Sequence, residues 1–292
     1  MRWKEEEAIP PPPGFIAQAN LTDADVDRRF ALENFPQCYA EYGEMLTWFR
    51  RWDKILDDSR PPFWNWFTGG TLNASVNCVD RHLPTKAGHA ALIFVPELEN
   101  EPIETITYQD LYNRVNEVAA VLREVCGVQS GDRVTIHMPL VPELPISMLA
   151  CARLGAIHSV VYSGFSGHAC GQRIADSGSR VLITMDGYYR DGHPVDHLEK
   201  AHVALETAKL QGHAVDKMLV WRRHRKRALS ARPMLAGRDF FMHEALKRCA
   251  SRKVDPVAMP AEAPLLLMYT SGTTDAPKAC QHSTGGYLAY VT

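Results

Sequence analysis

Between residues 132 and 221, short apolar runs alternate with helix-patterned stretches, and that alternation constrains the fold more than any other feature of the chain. DRVTIHM (132–138), AIHSVVY (156–162), RVLITM (180–185) and DKMLVW (216–221) have the length and β-branched content of buried strands. Residues 142–154, 167–177 and 193–213 read as the helices between and after them. Strand–helix–strand units with short loops predict a parallel, doubly wound sheet with right-handed crossovers and helices on both faces. ALIFVPE (91–97) and PLLLMY (264–269) add two more strands, and residues 239–250 a further helix. Residues 108–126 form an amphipathic pattern, with Leu111, Val115, Val118, Ala119 and Leu122 on one face. Thr107 is the expected N-cap, and Asp110 is an acid at the dipole end of that helix.

The flanks read differently. Residues 1–20 are expected to be a loose arm, with four prolines at 10–13 favouring polyproline II. Residues 21–90 are rich in Trp and Tyr and poor in regular periodicity, which suggests short helices joined by ordered loops. In that stretch Trp48, Trp52, Trp64 and Trp66 are expected to pack against the α/β domain that follows. Residues 91–292 make the α/β domain. Within it WRRHRKR (221–227) is a compact basic run that reads as a solvated loop.

Composition excludes several classes. Lys plus Arg number 32 and Asp plus Glu 34, a net charge of −2, so no global attraction to nucleic acid or an anionic membrane is expected. An apolar share of 46% and a charged share of 23% are ordinary for a globular chain. The seven cysteines contain no CxxC pair and no zinc-ligand spacing, so free thiols in a reducing, cytoplasmic setting are expected and no metal site is assigned. The stretch MLACARLGAIHSVVY is interrupted by Arg153 and His158, and the N-terminus lacks the apolar core of a signal peptide.

The strongest chemical signal is LLLMYTSGTTDAPKACQHSTGGYL. An apolar strand opens into Thr270, Ser271, Gly272, Thr273 and Thr274, then Pro277 and Lys278, then a glycine-containing helix start. A polyphosphate needs backbone N–H donors, small hydroxyls and a cation on a loop without bulky side chains, and this segment supplies them. It is not a Walker A loop, because no glycine directly precedes the lysine and no Ser or Thr follows it.

YTSGTTDAPK resembles the phosphate-binding signature of the adenylate-forming acyl-CoA synthetases. WDKILDDSRPPFWNWFTGGTLNASVNCVDRHL resembles the N-terminal segment of the acetyl-CoA synthetase branch. GDRVTIHMPLVPELPISMLACARLGAIHSVVYSGFS and ADSGSRVLITMDGYYRDG are similar to that branch's first nucleotide-fold repeats. The resemblance runs from about residue 35 to the last residue. It implies the first part of an adenylation domain and an AMP-forming acetate–CoA ligase working through acetyl-AMP, with ATP, Mg²⁺ and coenzyme A. Carried over residue by residue, Thr270, Ser271, Gly272, Thr273, Thr274 and Lys278 would hold the ATP phosphates. Tyr162, Gly164, Arg190 and His193 would hold the nucleotide end of coenzyme A. No residue matches the family's adenylation lysine, so no catalytic residue is nominated.

Three departures stand out. Asp275 and Ala279 occupy positions where the family's loop carries glycine, and Asp275 brings a negative charge toward phosphate. His193 stands where the branch often has a second arginine. The acyl pocket, the adenine contacts and the C-terminal domain implied by the resemblance have no counterpart up to Thr292. The expectation is a portion inactive alone, with a second chain carrying the other half as a candidate partner. A non-catalytic nucleotide- or CoA-binding fragment and a propionate-specific ligase are the alternatives. A longer-chain ligase is disfavoured by VNCVDRHL.

Overall fold

A computed structural model describes residues 9–19, 25–224, 227–270 and 277–292. The chain divides into two compact units, Met1–Glu41 and Tyr42–Thr292. In the first, Pro13 opens the short helix Pro13–Ala17, a position where a missing N–H costs nothing. Val26–Arg29 and two 3₁₀ turns follow, with the Phe30 and Phe35 rings edge-on to Tyr39.

The second unit is built on a seven-stranded sheet. Its strands are β1 (Arg133–Met138), β2 (Ile157–Tyr162), β3 (Val181–Met185), β4 (Lys217–Trp221), β5 (Asp239–Phe241), β6 (Pro264–Thr270) and β7 (Lys278–Ser283). The spatial order is β5-β4-β3-β1-β2-β6-β7, with every pair parallel except β6–β7. The helices are α1 (Tyr108–Glu124), α2 (Glu143–Arg153), α3 (Gly167–Ser177), α4 (His197–Leu210), α5 (Met242–Arg248) and α6 (Thr284–Val291). The sheet is doubly wound and largely parallel, as its sequence predicts.

Alternation sorts the faces. Ile136, Met138, Ile183 and Leu219 bury with α1, α2 and α5 in one apolar cluster. Val161, Leu182, Met218 and Val220 bury with α3 and α4 in the other. The α3–α4 contact is close because of glycine. A Cβ on Gly171 would lie 2.5 Å from the Ala204 carbonyl and from Thr207 Cβ. The end of α3 is set by Gly178, whose φ of 64° is the left-handed geometry glycine adopts without strain. At the start of α1, Thr107 is the N-cap, as expected, and with Asp110 it also forms a reciprocal capping box.

Several sequence expectations need correction. Residues 42–90 carry short strands as well as helices: Trp48–Arg50, Lys54–Asp57, Asn65–Thr68 and Thr71–Leu72. Strands of two to four residues are too short to show alternation. Trp48, Trp52 and Phe67 pack on one another at 5.0–5.6 Å, whereas Trp64 is exposed. The stretch read as one helix over 193–213 begins with a strand, His193–Asp196, paired to Gly187–Arg190. Asp196 then caps α4 by accepting from the Glu199 N–H at 3.0 Å. Residues 239–241 are strand before the helix begins. Lys278 opens β7, a strand the sequence reading did not set apart, and the glycine-containing helix start follows at Thr284 as expected.

In the basic run Arg222 and Arg223 are packed rather than solvated, whereas Arg227 is exposed. The Arg222 guanidinium stacks on Phe241 at 4.0 Å, and Arg223 pairs with Glu101 and covers Phe94. Arg225 and Lys226 lie outside the described residues. Among the described residues, no helix is long and apolar enough to cross a membrane.

Candidate functional site

In an open α/β sheet, ligands bind beyond the carboxyl ends of the strands, where consecutive connections leave for opposite faces. Here that point lies between β1 and β3. The helix after β1 is α2, on one face, and the helix after β3 is α4, on the other. A cavity of about 320 Å³ opens there, lined in part by Phe94, Pro139, Tyr162, Tyr189, Arg190 and Arg223. A second cavity of about 300 Å³ sits between Tyr162 and the β6 strand, against Leu267, Met268 and Tyr287. Tyr162, 56% exposed at the end of β2, borders both.

Two hairpins supply the candidate cations. Gly187–Arg190 and His193–Asp196 pair antiparallel, with Arg190 directly opposite His193. Asp191 (φ 52°) and Gly192 (φ 75°) form the two-residue turn, the geometry an Asp-Gly pair favours. The Gly192 N–H donates to Glu97 at 3.0 Å and fixes the turn beside the cavity. The register thus brings Arg190 and His193 together, both exposed. In the second hairpin, Thr270 on β6 faces Lys278 on β7. Ser271, Gly272, Thr273 and Thr274, and with them Asp275, lie outside the described residues.

Gly164 follows the buried Ser163, whose carbonyl accepts from Lys200 Nζ at 2.9 Å and Tyr188 Oη at 3.4 Å. Those two donors hold the turn that carries Tyr162 and Gly164. Burial and the nearby Arg190 charge lower the Lys200 ammonium's pKa. Lys200 had no distinguishing signal in the sequence. The Arg190–His193 hairpin did have one, an Asp-Gly pair between extended residues.

Beneath the site lie neutral histidines. His137 on β1 and His197 at the start of α4 stack with ring centroids 4.3 Å apart, and His197 Nε2 bonds the His137 carbonyl at 3.0 Å. Burial lowers both pKa values, and the neighbouring Lys200 charge adds to it. His158 on β2 is 4% exposed, and burial lowers its pKa to about 4. An unfolded histidine titrates near 6.5, so protonation favours the unfolded chain. The stability tied to neutral His158 is complete above about pH 6.5 and is lost as pH falls toward about 4, a change of about 3 kcal/mol. Urea unfolding between about pH 7 and about pH 4.5 is expected to show that loss, and His158→Gln to flatten it. An unchanged pH profile in His158→Gln would assign the acid sensitivity elsewhere.

A further cavity of about 620 Å³, lined in part by Glu143, Arg222, His243 and Lys247, contains none of the sequence-predicted site residues. Among the described residues, no group of three or more His, Cys, Asp or Glu side chains could hold a metal ion.

Comparison with known proteins adds an independent line. Residues 79–292 match the family model described as AMP-binding enzyme, and residues 25–78 match that of the acetyl-coenzyme A synthetase N-terminus. An acetyl-coenzyme A synthetase of Pyrobaculum aerophilum is 41% identical over 273 residues, covering 90% of this chain and 39% of the relative. One from Streptomyces avermitilis is 41% identical over 291 residues, covering 99% of this chain and 42% of the relative. A 3-hydroxypropionyl-coenzyme A synthetase of Sulfurisphaera tokodaii is 45% identical over 245 residues, covering 84% and 36%. The chain spans about two fifths of the length of these relatives.

Proposed function

The chain belongs to the AMP-binding enzyme family, and from that premise we propose that it is the substrate-holding first part of an AMP-forming acetate–CoA ligase. The reading rests on one observation above the others. Two hairpins, each presenting a cation opposite a second candidate residue, flank the strand end that carries Tyr162.

In the proposed reaction acetate attacks the α-phosphate of ATP, forming acetyl-AMP and releasing pyrophosphate. The coenzyme A thiol then attacks the acyl carbon, giving acetyl-CoA and AMP. Within these residues, Thr270, Ser271, Gly272, Thr273, Thr274 and Lys278 donate to the ATP phosphates. Their part is positioning and charge stabilisation of the departing pyrophosphate. Mg²⁺ would arrive on the nucleotide and offset phosphate charge, with the loop hydroxyls beside it. Tyr162 and Gly164 wall the nucleotide end of coenzyme A, and Arg190, with His193 opposite, meets its phosphates.

The domain reading is likewise a proposal: residues 1–20 an arm, 21–90 the acetyl-CoA-synthetase-type segment and 91–292 the beginning of the adenylation domain. The remaining groups would come from sequence outside these residues or from a second chain. A cytoplasmic setting, with small-molecule substrates and neither nucleic acid nor membrane as partner, completes the proposal. The similarity to a 3-hydroxypropionyl-coenzyme A synthetase favours keeping a second acid substrate in view.

MgATP titration tests the phosphate assignment. Lys278→Ala removes a charge-assisted hydrogen bond, so affinity is expected to fall by about tenfold or more. Acetate-dependent ATP–pyrophosphate exchange by these 292 residues alone is expected to be absent. Measurable exchange, or MgATP affinity unchanged in Lys278→Ala, would overturn this reading.

A further inference from the structure

Arg173 lies on α3 between the two proposed subsites and is 8% exposed. Its Nη1 donates to the Ala169 carbonyl at 2.7 Å, which anchors it to its own helix. Its guanidinium carbon lies 4.8 Å from the Phe165 ring centroid and 5.4 Å from that of Tyr269. One flat cation is therefore shared by rings from two different segments. A guanidinium is suited to this because it is planar, permanently charged and weakly hydrated, and lysine is not.

Each ring adjoins a proposed ligand element. Phe165 follows Gly164 and meets Tyr162 edge-on, with centroids 5.8 Å apart at 88°. Tyr269 immediately precedes Thr270, the first residue of the phosphate segment. The Tyr269 hydroxyl donates to Asp176 at 2.6 Å, one turn along α3 from Arg173. A continuous line of contacts thus runs from Tyr162 through Phe165, Arg173 and Tyr269 to the strand end at Thr270. Lys200 and Tyr188 hold the Ser163 carbonyl from the other side, so this turn has few ways to move without moving Phe165.

We propose that Arg173 is a positioning residue that couples the two subsites, so that occupancy beside Tyr162 sets the strand end opening the phosphate segment. The proposal deepens the functional reading above and rests on it for the identity of the two ligands. Coupling of this kind is reciprocal: each ligand changes the other's affinity by the same factor. Arg173 belongs to neither proposed ligand set, and its contacts here are with Ala169, Phe165 and Tyr269. Its removal is expected to abolish the factor while leaving each ligand's own affinity nearly intact.

Coenzyme A affinity, measured by calorimetry with and without saturating MgATP, is expected to differ by about fivefold or more in the unsubstituted chain. In Arg173→Met the ratio is expected to fall to near one. Arg173→Lys keeps the charge, loses the plane, and is expected to behave like Arg173→Met. A ratio of one in the unsubstituted chain, or a ratio preserved in folded Arg173→Met, would overturn the proposal.

A second arm needs no ligand. Amide hydrogen exchange at Met268, Tyr269 and Lys278 is expected to speed up in Phe165→Leu, although Phe165 touches neither strand through its backbone. The α5 helix, buried on the opposite face of the sheet, serves as the unaffected control. Unchanged exchange at β6 and β7 would contradict the coupling. If neither nucleotide binds the unsubstituted chain, the functional reading falls, and the exchange arm still decides the role of Arg173.

Discussion

Arg153→Met is expected to lower the unfolding free energy of the Tyr42–Thr292 unit by about 2–4 kcal/mol, the effect of stripping a buried arginine's hydrogen bonds and breaking its part-buried ion pair. Arg153 ends α2 and is 2% exposed. Its Nη1 donates to both Asp80 oxygens, at 3.0 and 2.9 Å, and its Nε to the Val254 carbonyl at 2.6 Å. Methionine would keep most of the volume and remove every donor. The Val254 carbonyl, on a buried residue, would then lose its partner, while Asp80, with a side chain 22% exposed, would keep partial solvation. The same joint includes Asn73, whose amide donates to the Ala152 and Val257 carbonyls at 2.8 and 2.9 Å. These bonds fasten the segment before residue 80 to the nucleotide fold. Urea denaturation reads the effect as a lower midpoint at unchanged slope. Asp80→Asn is expected to cost a comparable amount, because it leaves the buried Arg153 charge without its counter-ion, and the double variant less than the sum, because the two residues share one interaction. A loss below about 1 kcal/mol for Arg153→Met would contradict this account.

Asp275→Gly is expected to tighten MgATP binding by about tenfold or more. The effect is electrostatic, since Asp275 falls in the sequence between Thr270 and Lys278, two of the proposed phosphate donors. One carboxylate about 4 Å from one phosphate charge costs roughly 1 kcal/mol in water and about 4 kcal/mol at an effective dielectric near 20. ATP carries several such charges, and Mg²⁺ offsets part of them. Asp275→Asn separates the two reasons that glycine could help. Asparagine removes the charge and keeps a side chain that tolerates left-handed backbone. If asparagine tightens binding as much as glycine does, charge is the cause. If only glycine does, backbone freedom is the cause. Unchanged affinity in both would remove Asp275 from the account of phosphate binding.

The elements legible in the sequence are those whose pattern is long enough to declare itself. The four strands from residue 132 to 221 and the Thr107–Asp110 cap are of this kind, because burial on both faces and a local hydrogen-bonded box each leave a signature. The strand Lys278–Ser283 is the opposite case. It pairs antiparallel at the sheet edge with its first four residues exposed, so nothing enforces apolar alternation in KACQHS. Arg153 was visible only as an interruption of an apolar run. Its value depends on Asp80 and Val254, which are far away in sequence. Arg173 and Lys200 were silent for the same reason, since each acts on a loop that a local pattern cannot place.

The site divides along the same line. The residue types of the phosphate segment point to their chemistry without any coordinates. That Arg190 faces His193 across a two-residue turn, beside the divergence of α2 and α4, required the register. Tyr162 is readable as a strand end, but its place between two cavities comes from tertiary structure alone.

The most direct test of the central claim is calorimetric titration of this chain with coenzyme A, alongside Arg190→Ala. Saturable one-to-one binding is expected, weakening as salt rises and falling about tenfold or more in the variant, as loss of one charge-assisted phosphate contact requires. Absence of saturable binding, or an isotherm identical in Arg190→Ala, would contradict the assignment of this hairpin to the coenzyme A nucleotide.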